Sequence, residues 1–406
     1  MGNARTLLLL GGSAQQVVAI EAAKRCGYRT VVCDYLPDNP GQHHADAFYL
    51  VSTTDREAVL EVARAEDVQG VVAYSSDPAA PTAAYVAEEL GLPTNPLSSV
   101  EILSIKTLFR EYLQKAGFAC PHAVGISVGT APSHARELVA DLRFPIVVKP
   151  SDSSGSKGVS VLESADDVDG LAAAIEAASA FTRNGILIAE EYIVQTTPHV
   201  IGGDIFVKDG RICFWGLSDC HRTKSKPLLP IGESLPLGLP DDIVAKVKST
   251  LQDLVTSLDI RFGELNVEVI VSEGYVPYVL ELGARAGGAM LPVFLSDVSG
   301  IDLVRANVMC AMGDDPGALD WEPEDECCLM YIMNSEKSGI YRGFDLSPEA
   351  QSACYRAVPF QEKGTRIEQY GHAGHILGIL FFRFADRDKL RAVTDAFPDH
   401  IRMLVG

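Results

Sequence analysis

Two β-patterned runs, Asn266-Val-Glu-Val-Ile-Val271 and Tyr278-Val-Leu-Glu-Leu-Gly283, each set one glutamate among apolar neighbours. Side chains in a strand alternate between two faces, so the pairing of these runs decides whether Glu268 and Glu281 meet. A hairpin with a two- or four-residue turn around Gly274 puts both on one face, opposite or diagonal to each other, whereas an odd-length turn separates them. On a shared inner face the two carboxylates repel unless a cation or a basic partner lies between them, and hard carboxylate oxygens suit Mg²⁺ bridging phosphates. The alternative is that both face solvent.

The neighbours of this pair sharpen the expectation. Arg285 follows Glu281 by four residues and can neutralise a transferring phosphoryl group or clamp a carboxylate, and Gly287-Gly288 lets a substrate approach the backbone. Its ordinary alternative is a surface salt bridge. Phe144-Pro-Ile-Val-Val-Lys149 ends an apolar strand on a lysine, and Ser151-Asp-Ser-Ser-Gly-Ser-Lys-Gly158 follows. Such a Ser/Gly loop brings N–H groups to phosphate oxygens, but it reads equally well as a solvent loop beside a snorkelling lysine. Ile186-Leu-Ile-Ala-Glu-Glu-Tyr-Ile193 is an apolar strand breaking into polar residues, whose backbone can read an adenine edge. Of nine histidines most are packing or surface residues, and no Cys/His spacing makes a zinc site.

Along the chain, Leu7 to Gly12 reads as a strand, Gln15 to Cys26 as a helix and Tyr28 to Asp34 as a second strand. The alternation continues through helix Glu57 to Ala65, strand Gly70 to Tyr74 and helix Thr82 to Leu90, which predicts a small doubly wound parallel sheet. Gly11-Gly12-Ser13 lacks the G-x-G-x-x-G spacing, so a dinucleotide-dependent dehydrogenase is only a runner-up. Pro93-Thr-Asn-Pro96 breaks the pattern, and one helix is predicted from Val100 to Ala116. The strands beyond alternate and pair as hairpins, which predicts an antiparallel sheet with helices on one side. A final α+β segment holds Tyr370-Gly-His-Ala-Gly-His-Ile-Leu-Gly378. The resulting division is 1–97, 98–185, 186–312 and 313–406.

A formal charge of -20 with no basic cluster excludes nucleic acid as the main partner. Nine scattered cysteines without a C-x-x-C pair suit a reducing cytoplasm. The apolar run from Thr6 to Gly12 is too short to span a membrane. Met1-Gly-Asn-Ala-Arg-Thr6 matches an N-acylation pattern, yet it leads straight into the first strand and reads as coincidence.

The order of these motifs resembles the ATP-grasp superfamily, which includes biotin carboxylase, carbamoyl-phosphate synthase, purine-pathway carboxylate ligases and dipeptide ligases. The resemblance covers about residues 5 to 310 and implies an N-terminal doubly wound domain, a two-lobed nucleotide-binding core and a small C-terminal α+β segment. It implies nucleotide contacts from Lys106 and Lys149 and a phosphate-covering loop of Ser153, Ser154, Gly155, Ser156 and Gly158. It places Glu190 beside the adenine amino group, with Glu191, Tyr192 and Ile193 as the hinge and His199 near the ribose. His221 falls by the γ-phosphate, Glu268 and Glu281 hold magnesium, and Arg285 stands behind them. Two positions depart from the pattern: Gly283 replaces an asparagine ligand common two residues after the second glutamate, and Gln195 or His199 must serve where an acid often meets the ribose.

The implied activity is an ATP- and Mg²⁺-dependent (or Mn²⁺-dependent) ligation. A carboxylate is activated as an acyl-phosphate and an amine then displaces phosphate, with catalytic roles for Lys149, His221 and Arg285. Small carboxylate and amine substrates and a homodimer go with it. A bicarbonate-using carboxylase and a nucleotide-binding regulatory module without turnover are the alternatives. The missing Met-Lys-Met disfavours a self-contained biotin enzyme.

Overall fold

The computed structural model describes residues 4–224 and 229–406. The first residues of the acylation-like motif, and part of the segment between His221 and Glu233, lie outside the described residues.

Strands β1 (Thr6–Leu10) and β2 (Arg29–Asp34) are buried almost throughout. Continuous apolar runs become such strands when helices cover both faces of a parallel sheet. Helix α1 (Val17–Arg25) joins them and turns Ala19, Ile20, Ala22 and Ala23 inward. Strand β3 (Ala47–Leu50) is a half-buried edge without a long apolar run, and no sequence pattern marked it. Helix α2 (Arg56–Ala65) starts at Asp55, whose carboxylate accepts from Ala58 N–H, and leads to β4 (Gly70–Val72) and α3 (Ala80–Glu89). The strands run parallel in the order β3-β2-β1-β4. Their connections diverge at β1 and β4, so the crevice beyond the carboxyl ends of those two strands is the topological switch point, where open α/β sheets bind ligands.

The single helix predicted from Val100 to Ala116 is two, α4 (Leu97–Ser104) and α5 (Lys106–Ala116). Ile105 between them is extended, at φ -116° and ψ 108°. Lys106 N–H donates to Ser151 O at 2.8 Å, so a tie to the next lobe replaces a bond within the helix. The break sets Lys106 at the first turn of α5.

A four-stranded antiparallel sheet follows, built from β5 (Ala123–Ser127), β6 (Ile146–Pro150), β7 (Ser160–Leu162) and β8 (Ile186–Glu191) in the order β5-β8-β6-β7. Helices α6 (Pro132–Val139) and α7 (Val168–Ser179) close over Ile126, Ile146, Val148 and Leu187. Because β8 pairs with both β5 and β6, a division after residue 185 would separate hydrogen-bonded strands; this lobe runs to Glu191.

The large sheet begins with β9 (Val200–Lys208), β10 (Arg211–Arg222) and β11 (Pro230–Leu235). Helix α8 (Asp241–Ser257) leads to the hairpin β12 (Phe262–Ser272) and β13 (Val276–Gly283). After α9 (Leu291–Ser299) and α10 (Leu303–Ala311) come β14 (Cys328–Met333), β15 (Gly339–Leu346), β16 (Cys354–Pro359), β17 (Arg366–Ile367), β18 (Gly378–Arg383) and β19 (Ile401–Val405). The order β13-β12-β9-β10-β11-β14-β18-β16 makes one eight-stranded sheet among the described residues, so most of the C-terminal segment's strand content extends the sheet that carries the hairpin. Helices cover both of its faces, not one. Ile205 and Leu265 pack under α5 and α8, while Phe206 and Phe214 pack under α9. Consecutive residues Ile205 and Phe206, both fully buried, could not otherwise be satisfied.

Phe294 of α9 is fully buried and stacks on Phe381 of β18 with ring centroids 6.2 Å apart. Phe294→Ala is expected to cost about 3–5 kcal/mol, read as a lowered urea midpoint at unchanged slope.

Candidate active site

The turn between β12 and β13 is Glu273-Gly274-Tyr275, an odd connection. Ser272 pairs with Val276 and Val269 with Val279, a register that alone would leave Glu268 opposite Leu280 and turn Glu281 to the far face. The register then shifts between Val269 and Glu268, and Glu268 pairs with Glu281. An extra residue in β13 reverses the parity of the odd turn, so the bulge, rather than an even turn, brings the two glutamates to one face.

Both glutamates line a cleft between the small antiparallel sheet and the large one. Its walls include Val147, Val161, Ile193, Ile270 and Leu280, and its polar side holds Lys106, Lys149, Ser153, Ser154, Gly155, Ser156, Lys157, Glu191, Tyr192, Gln195 and Arg222. Lys106 Nζ donates to Ser153 O at 2.8 Å and lies 3.9 Å from Glu281 Oε1. Gly155 has φ +68°, and a Cβ there would stand 2.8 Å from Ala373 Cβ. Its carbonyl accepts from Ala373 N–H at 3.1 Å, so the Ser/Gly loop rests against the Gly-rich C-terminal motif.

Glu190 also reaches this cleft but is 3% exposed and already engaged. Arg110 Nε donates to it at 2.8 Å and Lys149 Nζ at 2.5 Å. Burial pushes the carboxyl up, and Arg110 with Lys149 more than reverses this, holding it at about 2. Burial lowers the Lys149 ammonium, against the pull of Glu190. Glu190 is thus the counter-ion of two cations, a different position from a free acid beside an adenine amino group. Tyr192 N–H donates to Pro145 O at 2.9 Å and Glu191 N–H to His122 O at 2.9 Å, so neither amide of the expected hinge is free.

Four expected residues do not line the cleft. His221 lies on the far face of β10, with Nε2 2.8 Å from Ser234 Oγ and its ring 4.4 Å from that of His199. Burial, with His199, lowers it to about 3, so it is neutral at pH 7. Its neighbour Arg222 takes the cleft side by the two-residue period, with a guanidinium nitrogen 2.7 Å from Glu268 Oε1. Burial opposes ionisation of Glu268, and Arg222, Lys149 and Lys106 outweigh it, lowering its carboxyl. His199 packs on His221, and of the two residues open to a ribose it is Gln195 that lines the cleft. Gly158 packs on α7, where a Cβ would meet Ala177 O at 2.8 Å. Arg285 turns to the N-terminal unit: its Nε and Nη2 donate to the two oxygens of Asp77, each at 2.7 Å.

Asp77, Arg110 and Arg222 therefore went unread. Arg110 stands four residues after Lys106 on α5, a spacing that shares one helix face. Asp77 sits in Tyr74-Ser-Ser-Asp-Pro78, a small polar loop at the carboxyl end of a parallel strand, which is a legible signal. For Arg222 the period of two separates it from His221 without saying which face is the cleft.

The donor set fits magnesium and a nucleoside triphosphate. Among the described residues no three His, Cys, Asp or Glu side chains converge as a metal cage. Two facing carboxylates beside lysines suit an ion that takes one or two carboxylates and completes its shell with phosphates and water. Apolar walls at one part of the cleft suit a planar base. No helix among the described residues is long and apolar enough to cross a membrane.

Known proteins resemble the chain in sequence and in fold. The profile of the ATP-grasp N-terminal domain matches residues 20–94, and that of the carbamoyl-phosphate synthase L chain, ATP binding domain, matches residues 106–316. The chain is 28% identical to a phosphoribosylamine–glycine ligase of Methanosarcina barkeri, over 92% of this chain and 89% of that one. It is 26% identical to carnosine synthase 1 of Gallus gallus over 90% of its own length, but spans only 42% of that longer protein. The fold matches an L-amino acid ligase from Bacillus licheniformis with TM-score 0.79 at 20% identity, over 100% of both chains.

The Glu190 cluster sets an acid limit on stability. Its folded value of about 2 lies below the unfolded 4.5, so its contribution is present above the unfolded value and is lost as pH falls from about 4.5 towards 2. The loss should amount to about 3 kcal/mol at most, measured as denaturant midpoints across pH, and Glu190→Gln should flatten that acid limb while lowering stability at pH 7.

Proposed function

The chain belongs to the ATP-grasp superfamily, and on that premise we propose that it is an ATP- and Mg²⁺-dependent carboxylate–amine ligase working through an acyl-phosphate. The observation that carries the reading is the bulge-corrected pairing of Glu268 with Glu281 on the floor of a cleft that also holds Lys106, Lys149 and Arg222. We take Glu268 and Glu281 as the residues that hold the metal. Bound there, magnesium would neutralise charge between the phosphates.

This chain's own residues supply the rest. Lys106 and Lys149 bind phosphate oxygens, and Ser153, Ser154, Gly155 and Ser156 close over them and exclude water that would hydrolyse the intermediate. Arg222, in place of His221, faces the charge that develops as the substrate carboxylate attacks the γ-phosphate. The acyl-phosphate then meets an amine, forming the C–N bond and releasing phosphate. Glu191, Tyr192 and Ile193 border the base, and Gln195 takes the ribose place. Arg285 acts from the seam with the N-terminal unit. With His221 outside the cleft, a bicarbonate-using carboxylase gains no basic group from that residue. Substitution of Mn²⁺ for Mg²⁺, a homodimer and a cytoplasmic setting belong to the same proposal.

Phosphate release from Mg-ATP, screened with amino acids, small acids and bicarbonate against a panel of amines, tests it. Release should require both a carboxylate and an amine, and Glu281→Ala should lower it at least about 100-fold with an unchanged melting temperature. Thermal stabilisation by Mg-ATP without release on any pair would favour the regulatory module instead. In the same assay Arg222→Met should lower turnover by about 100-fold or more, whereas His221→Phe should change it less than about threefold. The reverse order would return the role to His221.

A further inference from the structure

Beyond the Glu190 cluster lies a groove of about 440 Å³ that no step of the proposed reaction uses. One wall is helix α5, where Thr107, Arg110, Glu111 and Gln114 follow at i, i+3, i+4 and i+7 and so share a face. The other wall is β5, the outer strand of the small sheet, which pairs with β8 alone among the described residues. Cys120, Pro121 and His122 join the two walls.

Arg110 links this groove to the nucleotide cleft. It lines the groove and is 3% exposed, yet two of its guanidinium nitrogens are engaged on the cleft side. Nε donates to Glu190 Oε2 at 2.8 Å and Nη2 donates to Leu280 O at 2.9 Å, and both Glu190 and Leu280 line the cleft. The third nitrogen, Nη1, is buried and has no hydrogen-bond partner among the described residues. A guanidinium is a planar fork, so Nη1 lies across it from the edge that Nε and Nη2 present to Glu190, on the side left to the groove. Buried donors are nearly always paired, and an unpaired one is costly to keep.

The groove's own side chains do not supply the missing acceptor. Cys120 Sγ donates to Pro121 O at 3.3 Å, and burial pushes its thiol up, so it brings no negative charge. Glu111 at the rim is exposed and paired with Lys115 one turn on. The charges of the cluster are uneven as well, since Arg110 and Lys149 stand against the single carboxylate of Glu190. An anion in the groove would meet Nη1, with the Thr107 hydroxyl, the Gln114 amide and His122 as further donors around it. Pro121, Val124 and Ile188 give an apolar surface for a short carbon skeleton.

We propose that this groove binds a small organic anion, a carboxylate or a phosphate ester, on Arg110 Nη1, and that its occupancy opposes binding of Mg-ATP. The anion offsets the positive charge that Arg110 and Lys149 hold on either side of Glu190, and Lys149 then attracts phosphate oxygens less strongly. The coupling is reciprocal, so Mg-ATP weakens the anion by the same factor. The site stands apart from the ligase reading, whereas the coupling rests on Lys149 as a phosphate ligand.

Calorimetric titration of the full-length protein without nucleotide tests the site. Succinate and glycerol 3-phosphate are the anions, and succinamide and glycerol are their neutral counterparts. At least one anion should bind about 10-fold or more tighter than its counterpart, and the tighter anion tells the carboxylate from the phosphate ester. Gly125→Leu is the blocking variant, because Gly125 lines the groove and a Cβ there would lie 3.8 Å from Thr107 Cγ2 across it. It should abolish anion binding at an unchanged melting temperature. In the wild type a saturating anion should raise the Kd of Mg-ATP about fivefold or more, an effect lost in Gly125→Leu. Anion binding that survives in folded Gly125→Leu overturns the proposal, as does equal binding of the neutral compounds or binding of neither anion. An unchanged Kd of Mg-ATP at saturating anion overturns the coupling. A protein that binds the anion but no Mg-ATP keeps the site and sinks the ligase reading. If Gly125→Leu loses its melting transition, Gln114→Trp on the opposite wall takes its place and must likewise abolish binding.

Discussion

Charge pairing between elements that meet at the cleft is the constraint on which the rest of this structure turns. Each acidic group at the site meets a cation from another element: Glu190 meets Arg110 of α5 and Lys149 of β6, Glu268 meets Arg222 of β10, and Asp77 meets Arg285. Removing one partner would leave an uncompensated buried charge, which costs far more than the intact pair contributes. The three units are therefore held to one geometry by electrostatics as well as by their apolar cores. The same pairing lowers the Glu268 and Glu190 carboxyls against burial, which pushes both up.

Much of this could be read from the chain. Apolar runs at Leu7 to Leu10 and Val31 to Cys33 have one comfortable home, a sheet covered on both faces, and the parallel unit formed there. The glutamate pair was legible too, but for an incomplete reason. Turn parity alone separates Glu268 from Glu281, and a bulge that no residue pattern announces brings them back together.

What escaped the sequence shares a physical character. The break at Ile105 comes from a backbone bond to Ser151, the choice between His221 and Arg222 from which face of β10 borders the cleft, and the position of Asp77 from a contact spanning more than half the chain. None is a property of local spacing. Local patterns tell which side chains share a face, and the packing of distant segments tells what that face meets. Gly283 illustrates the difference, since in sequence it is a lost ligand and in space it is the room occupied by another unit's carboxylate.

The continuity of the large sheet carries a consequence for how the protein must be made. β11 pairs with β14, which comes more than ninety residues later, and β14 in turn pairs with β18. The match to the second family profile ends at residue 316, before either of those strands. A growing or shortened chain ending there would hold every residue of the candidate site, yet present β11 as a bare edge with unpaired N–H and C=O groups beside the cleft. Such an edge recruits other chains. The last portion thus acts as the sheet's own terminator, and the chemistry encoded upstream depends on its arrival.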